Sequence, residues 1–528
     1  MIKVTTPNGH WQAFCDLVRQ FLEADIVELS IEGEAVRGYR SPDSPALWIR
    51  DHSDILRAGR YFDSTTRSTV DAFAETQSRS GRIFDYVLNK PATWAGEQEN
   101  WEKWVRIPVE ADVEYRFVKA AFIEWQSSGD DEWLASILPA LDRALHYATT
   151  HQLRLDPSSG LVKRAYTMDT WDFDYTAGRH PWLNFQITDD TFWGIMHGDN
   201  SGVFESARLL ERMYAYLGDE HRAGHWKAEA DRIARAANHL LFNGRFYNHF
   251  HKLTDVVVEG VDESEQLSLS NPMAITRGMA TPEIASAILT EYQSRRESSE
   301  AFAEWFSIDP PFPDGFFGDE KLVAGAYING GIMPLVGGEL ALAAFESGFE
   351  TYGLQTLEQY REMVAESGET FLWYFPDGTP SSVDTSTSPE AMPTDGWGSS
   401  AMLNALVRGL CGIVDTGSCY SSVTLAPRWL IAGEDVASVE VSYAASAVGI
   451  AYDFRHNATD STVDLDVRTT ASSTALTLRL LVPQDRQPER LTVDSEPKVF
   501  SIESVGTSTY AVVDFTLSDR SSVKLIYR

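Results

Sequence analysis

From about residue 56 to residue 415 the sequence repeats one theme. Helical stretches of about 12 to 20 residues alternate with loops rich in Gly, Pro, Asp and aromatic side chains. Apolar periodicity predicts helices near 66–87, 112–127, 131–149, 203–218, 223–241, 282–296, 335–348, 354–366 and 399–411, with shorter helical stretches at 10–24 and 56–62. Asp131-Glu132 and Pro282-Glu283 are helix-start signals, while Gly218 and Gly348 are stops. About a dozen helices with the chemically interesting residues on alternate connections points to an (α/α)6 toroid, in which the loops at one end line a central pocket.

After Thr416 the pattern changes to alternation with period two, as in Val439/Val441, Ile450/Tyr452/Phe454, Val463/Leu465/Val467 and Leu476/Leu478/Leu480. This predicts a C-terminal antiparallel β-sandwich over 416–528, after a barrel over 41–415 and an N-terminal helix with short strands over 1–40 that pack on the barrel. The overall class is mainly α. The sandwich carries no chemistry of its own and is expected to buttress the barrel.

Composition narrows the partners. A formal charge of −33 disfavours nucleic acid and anionic membrane surfaces, and it suits a neutral ligand. The start of the chain has no apolar core of signal-peptide type, and no apolar run is long enough to span a bilayer, so a soluble cytoplasmic protein is expected. Cys15, Cys411 and Cys419 have no zinc-binding spacing, and neither His180 nor the His249-Phe250-His251 run has ligand-spaced companions. No metal and no cofactor is expected; the oligomeric state is left open.

The stretch Arg164–Tyr175 places Asp169, Asp172 and Asp174 among Tyr166, Trp171, Phe173 and Tyr175 without a helical or strand period. Apolar rings raise the pKa of a carboxyl group so that it can donate a proton, and they stack on pyranose faces. The competing reading is a surface loop with capping aspartates. Trp48-Ile49-Arg50-Asp51 offers a donor, an acceptor and a stacking face, which can grip vicinal hydroxyls, or else a surface ion pair with a helix cap. In Tyr327-Ile-Asn329-Gly-Gly-Ile-Met-Pro334 the glycines allow close backbone approach, to a ligand or to a neighbouring helix. The loop 369–397 carries Glu369, Trp373, Asp384, Glu390, Asp395 and Trp397. Glu369 is the natural second carboxylate, since an inverting glycosidase needs one to activate water opposite the acid. There is no nucleophile elbow, phosphate-binding glycine loop or His-Glu-x-x-His motif.

Four of these motifs, in this order, resemble the (α/α)6-barrel glycoside hydrolases: Trp48-x-Arg50-Asp51; Trp171-Asp172 after the turn Asp156-Pro-Ser-Ser-Gly-Leu161; Asn329-Gly-Gly-Ile-x-Pro334; and Gly396-Trp-Gly-Ser399. The group meant comprises the amylo-α-1,6-glucosidase, processing α-glucosidase, glucosylglycerate hydrolase, trehalase and neutral invertase types, and the similarity covers roughly residues 45 to 415. The resemblance implies Asp172 as general acid and Arg50 and Asp51 as grips on the sugar in the −1 subsite. The family's general base is a Glu in an aromatic run before the last helix. The matching stretch here, Leu372-Trp-Tyr-Phe-Pro-Asp377, lacks it. Glu369 then takes the role from just upstream, or Glu390 reaches in, or phosphate itself attacks. The resulting expectation is an exo-acting, inverting α-glucosidase-like hydrolase of a small glucoside or oligosaccharide. Asp172 and Glu369 are catalytic, and Trp48, Arg50, Asp51, Trp171, Asp174, Asn329, Trp373, Glu390 and Trp397 bind substrate. The alternatives are an inverting phosphorylase and an inactive sugar-binding barrel.

Overall fold

The computed structural model describes residues 1–89, 101–104, 111–165, 189, 191–257, 259–317, 319–387 and 390–528. Among these, twelve α-helices run in chain order: α1 (His10–Ala24), α2 (Ile49–Gly59), α3 (Arg67–Glu75), α4 (Val113–Ser128), α5 (Asp131–Thr150), α6 (His197–Tyr216), α7 (Glu220–Leu241), α8 (Asn271–Thr276), α9 (Pro282–Ser298), α10 (Pro334–Glu346), α11 (Glu350–Ser367) and α12 (Gly396–Asn404). The even-numbered helices from α2 to α12 each contact the next, and α12 returns to α2, which closes a ring. Odd-numbered helices lie against it: α5 on α4, α7 on α6, α9 on α8, α11 on α10 and α1 on α12.

Helices α10 and α12 are enclosed, so their sequences lack an amphipathic stripe, and in α2 the polar side is buried along with the apolar one. All eleven residues of α2 and all nine of α12 are buried, as are Pro334–Phe345 of α10. This is why several starts differ from expectation. Helix α2 begins at Ile49 rather than near Leu56, and α6 at His197 rather than Val203. Their first turns, Ile49-Arg-Asp-His-Ser-Asp54 and His197-Gly-Asp-Asn-Ser-Gly202, are polar yet buried. The helix expected over 66–87 stops at Glu75, and Tyr86–Asn89 is a strand. Helix α12 starts at Gly396, three residues early, and passes at Asn404 into a π-helical turn, Ala405–Leu410. A Cβ on Gly338 would lie 2.5 Å from the Ala401 carbonyl carbon, so glycine here sets the spacing of α10 against α12.

Two helix starts carry side-chain caps at or next to their sequence signals. Asp130 accepts from the Trp133 amide ahead of α5, and Thr281 from Ile284 ahead of α9, where Pro282 takes the first position.

The C-terminal region holds two sheets of seven and five strands. Alternate residues such as Val439, Val441, Tyr452, Leu465 and Leu478 are buried. Two features depart from expectation. Ile2–Thr5 pairs with Val436–Ser442, so the first strand is an edge of the larger sheet. Ser422–Leu425 pairs in parallel with Thr474–Leu481, so the unit is not wholly antiparallel; strands of the other sheet lie between the two in sequence and form the crossover. Cys15, Cys411 and Cys419 are free.

Candidate active site

Buried charge at the N-terminal end of the ring is the first thing to account for, because a charge removed from water must find a partner. In α2, Arg50, Asp54 and Arg57 recur at helical spacing. On the neighbouring helix and its cap, Asp112, Arg116 and Lys119 do the same, with opposite charges at the first two positions and two cations, Arg57 and Lys119, at the third. Arg50 donates from Nε and Nη2 to the two oxygens of Asp112, at 2.9 and 3.1 Å, a bidentate pair in which neither side chain is more than 6% exposed. One turn further in, Arg116 donates to Asp54, whose carboxylate also accepts from the Trp397 indole at 2.8 Å. Arg57 closes on Glu339 of α10. Helices α2, α4, α10 and α12 are thereby tied along the ring axis. These cations hold the Asp54 carboxyl well below the ordinary range against the opposing effect of burial.

Above this network sit acids that remain protonatable at neutral pH. Burial raises Asp51, in the first turn of α2, to about 7, with Arg50 opposing. Burial also raises Asp43 to about 7; the Met392 amide opposes this, while Asp395, Asp51 and Glu390 push the same way. One Asp43 oxygen accepts from that amide at 3.1 Å, and the other has no hydrogen-bond partner among the described residues. Asp395 caps α12 by accepting from the Trp397 and Gly398 amides, and burial brings it to about 6. Sequence reasoning passed over Asp43, Asp54, Asp112 and Arg116. The complementary charges at i and i+4, Arg50/Asp54 against Asp112/Arg116, were the signal that could have found the last three.

The remaining candidates divide. Trp48 caps the start of α2, is half-buried, donates its indole N–H to Ser44 and lies 4.1 Å from the Tyr86 ring, centroid to centroid. It is the one described stacking candidate with part of its surface open. Trp373 is fully enclosed, between Tyr327 and Phe375, and Trp397 is 3% exposed, so neither offers a free face for stacking. Asn329 is buried, accepting from the Phe312 amide and donating to the Phe312 and Leu322 carbonyls; both its donors hold the loop together, and none is left for a sugar. Glu369 is exposed, one residue past the left-handed cap Gly368 of α11, and Glu390 is exposed as well. Thr370, next to Glu369, exchanges backbone hydrogen bonds with Pro393 and Asp395, which brings Glu369 to the α12 entrance. Trp171, Asp172 and Asp174 lie outside the described residues. On either side of that stretch Ala165 and Trp193 are paired strand residues, and Arg164 is 3.2 Å from Asp199 in the first turn of α6. No group of three or more His, Cys, Asp or Glu side chains that could hold a metal ion occurs among the described residues.

The solved structures whose fold this chain resembles include several glycoside hydrolases. The α-L-rhamnosidase of Dictyoglumus thermophilum matches with a TM-score of 0.64 over 99% of this chain and 50% of its own, at 10% identity. A GH78 family rhamnosidase of a Bacillus species matches with a TM-score of 0.60 over 92% and 43%, at 14% identity. The GH63 mannosylglycerate hydrolase of Thermus thermophilus, solved with glucose, matches with a TM-score of 0.54 over 75% of this chain and 100% of its own, at 14% identity. The chain thus spans half or less of the length of these rhamnosidases. At such identities the likeness is one of fold. No protein-family model and no curated protein matches the sequence.

Proposed function

We propose that this protein is a glycoside hydrolase that removes a terminal sugar from a small α-linked glycoside in the cytoplasm. In this reading the closed ring is an (α/α)6 toroid and the two sheets are a β-sandwich against it. The observation that carries the reading is the cluster of buried carboxyls at the N-terminal end of the ring. Asp51 and Asp43 are both raised to about 7 beside the Arg50–Asp112 pair, in a fold shared with sugar hydrolases. A donor and an acceptor side by side suit vicinal hydroxyls, and a carboxyl raised toward neutrality suits proton transfer.

Asp172 protonates the departing glycosidic oxygen and Glu369 deprotonates the attacking water, with the two carboxyls about 6.5–9.5 Å apart for an inverting reaction. Arg50 and Asp51 grip the terminal sugar, Trp48 stacks on it, and Trp171 and Asp174 complete the subsite. The sequence motifs favour a glucoside, whereas two of the fold neighbours are named for rhamnose and one for mannosylglycerate. Proton NMR of the first sugar released, taken before mutarotation, tests the mechanism. The β-anomer from an α-glycoside supports inversion, and the α-anomer rejects it.

Phosphorolysis has less support. It calls for a cation-rich, phosphate-sized pocket near Glu369, and the cation-rich cavity among the described residues lies at the other end of the ring.

A further inference from the structure

At the C-terminal end of the ring the described residues enclose a cavity of about 260 Å³, to which α2, α4, α6 and α10 all contribute residues from their middle or second halves. Seven cationic side chains line it against three carboxylates, in a chain whose net charge is −33. The charge runs against the composition of the chain, in which acids outnumber bases 77 to 44.

The lining carboxylates are already engaged. Glu339 is taken by Arg57 and Thr276, and Glu205 by Lys119 at 3.3 Å and Arg277 at 3.6 Å. Asp415 accepts from the Gly417 and Tyr420 amides and the Tyr443 hydroxyl. At the mouth, Arg208 and Arg408 reach Glu211 and Glu346, which do not line the cavity. Arg60 and Arg212 rest on neutral groups. Arg60 donates to Gln126 Oε1 at 2.8 Å and to the Tyr61 hydroxyl at 3.2 Å. Arg212 donates to the Thr416 carbonyl at 2.9 Å, with its guanidinium 4.7 Å from the Phe122 ring centroid.

The electrostatics divide: against the lowering effect of burial, neighbouring tyrosines raise Arg60, and Tyr115 and Glu205 raise Arg277. Burial lowers the pKa of Arg212, with Arg408 and Arg208 adding to the effect and Asp415 opposing. Lys119, deeper in, is lowered by burial against the pull of Glu205 and Asp54. Crowded, partly desolvated cations of this kind gain from an anion that can accept several hydrogen bonds at once.

We propose that this cavity binds a tetrahedral dianion, inorganic phosphate or the phosphate group of a small ester, with Arg60, Arg212 and Arg408 at the mouth and Lys119 and Arg277 below. The site is separate from the proposed sugar site and does not depend on the hydrolase reading. Inorganic phosphate has room to spare in this volume, and a three-carbon phosphate ester also fits.

Isothermal titration of the full chain tests the proposal, using sodium phosphate, glycerol 3-phosphate, glycerol and, at matched ionic strength, sodium chloride. Phosphate and glycerol 3-phosphate are expected to bind, with neither glycerol nor chloride giving a saturable signal. Tighter binding of glycerol 3-phosphate identifies an ester as the ligand; equal binding identifies the phosphate group alone. Arg212→Gln, at the mouth of the cavity, should weaken binding roughly tenfold to a hundredfold, the worth of one charge-assisted hydrogen bond. Arg408→Gln serves as a second variant, and Asp172→Asn should bind as wild type. Phosphate heats no larger than those of chloride overturn the proposal, as does wild-type affinity in both Arg212→Gln and Arg408→Gln.

Discussion

Replacing Asp54 with asparagine removes one charge from the ring axis and little else. The amide oxygen can still accept from the Trp397 indole, now 2.8 Å from the carboxylate, and the volume is unchanged. Arg116 loses its closest carboxylate in a site where its side chain is 1% exposed, and is left with Asp112 at 3.7 Å. Lys119 and Arg57, each 3.9 Å from Asp54, lose a smaller share. Stripping one partner from a buried ion pair costs about 3–5 kcal/mol, and the residual contact with Asp112 puts this case near the lower figure. With an m-value of about 3 kcal/mol/M, the urea midpoint should fall by roughly 1 M. Tryptophan fluorescence follows the transition, and Asp54→Ala should cost a further ~1 kcal/mol for the orphaned indole N–H. Because the folded carboxyl titrates below its ordinary value, its contribution is complete above the unfolded pKa of about 4 and is lost as pH falls through the folded pKa. The gap between wild type and Asp54→Asn should therefore stay constant from pH 8 to 5 and close only in stronger acid. A loss under about 1 kcal/mol at pH 7, or a gap that closes by pH 6, refutes the view that this carboxylate ties the ring together.

Three more outcomes follow from the same structure. Asp43, raised to about 7, binds a proton in the folded state where the unfolded chain has already released it; stability should fall as pH rises from about 4 to 7 and then level off. Asp43→Asn should flatten that slope and be the more stable protein at pH 8; unfolding curves that run parallel across this range would falsify the assignment. Gly338→Ala should destabilise by about 1–3 kcal/mol in the same urea assay, because its Cβ would meet the α12 backbone; a neutral result contradicts the tight α10–α12 contact. Glu369→Gln, at an exposed position, should leave stability within about 0.5 kcal/mol of wild type while lowering turnover of the hydrolase substrate about a hundredfold or more. Unchanged turnover removes Glu369 from the mechanism.

The parts of this molecule that were legible in the sequence are those in which burial follows a period. Outer helices such as α5 and α7 bury one face, and the C-terminal strands bury alternate residues, so both show in a linear pattern. The first turns of α2 and α6 did not show, because enclosure on every side lets polar and apolar residues alternate freely as long as each charge has a partner. Part of that pairing was nonetheless present in the chain, as Arg50/Asp54 against Asp112/Arg116, four residues apart in each run. The strand Ile2–Thr5 finds its partner more than 430 residues away, and no local signal announces that. For Trp373 and Trp397, residue type alone could not separate a stacking platform from core; their packing separates them. Asn329 was correctly placed in a tight turn, but its hydrogen bonds are spent within it.

The central claim is that the acid-rich end of the ring cleaves glycosidic bonds with Asp172 as the proton donor. Its most direct test is sugar release from a panel of α-linked glycosides, glucose and rhamnose included, each as the p-nitrophenyl and as the methyl glycoside, by wild type and Asp172→Asn. The account predicts turnover of at least one sugar by wild type. It also predicts a loss of about a hundredfold or more in the variant with a poor leaving group, and a smaller loss with the activated aryl one. Saturable sugar binding without turnover by wild type on the whole panel, or equal rates for the two proteins, contradicts it.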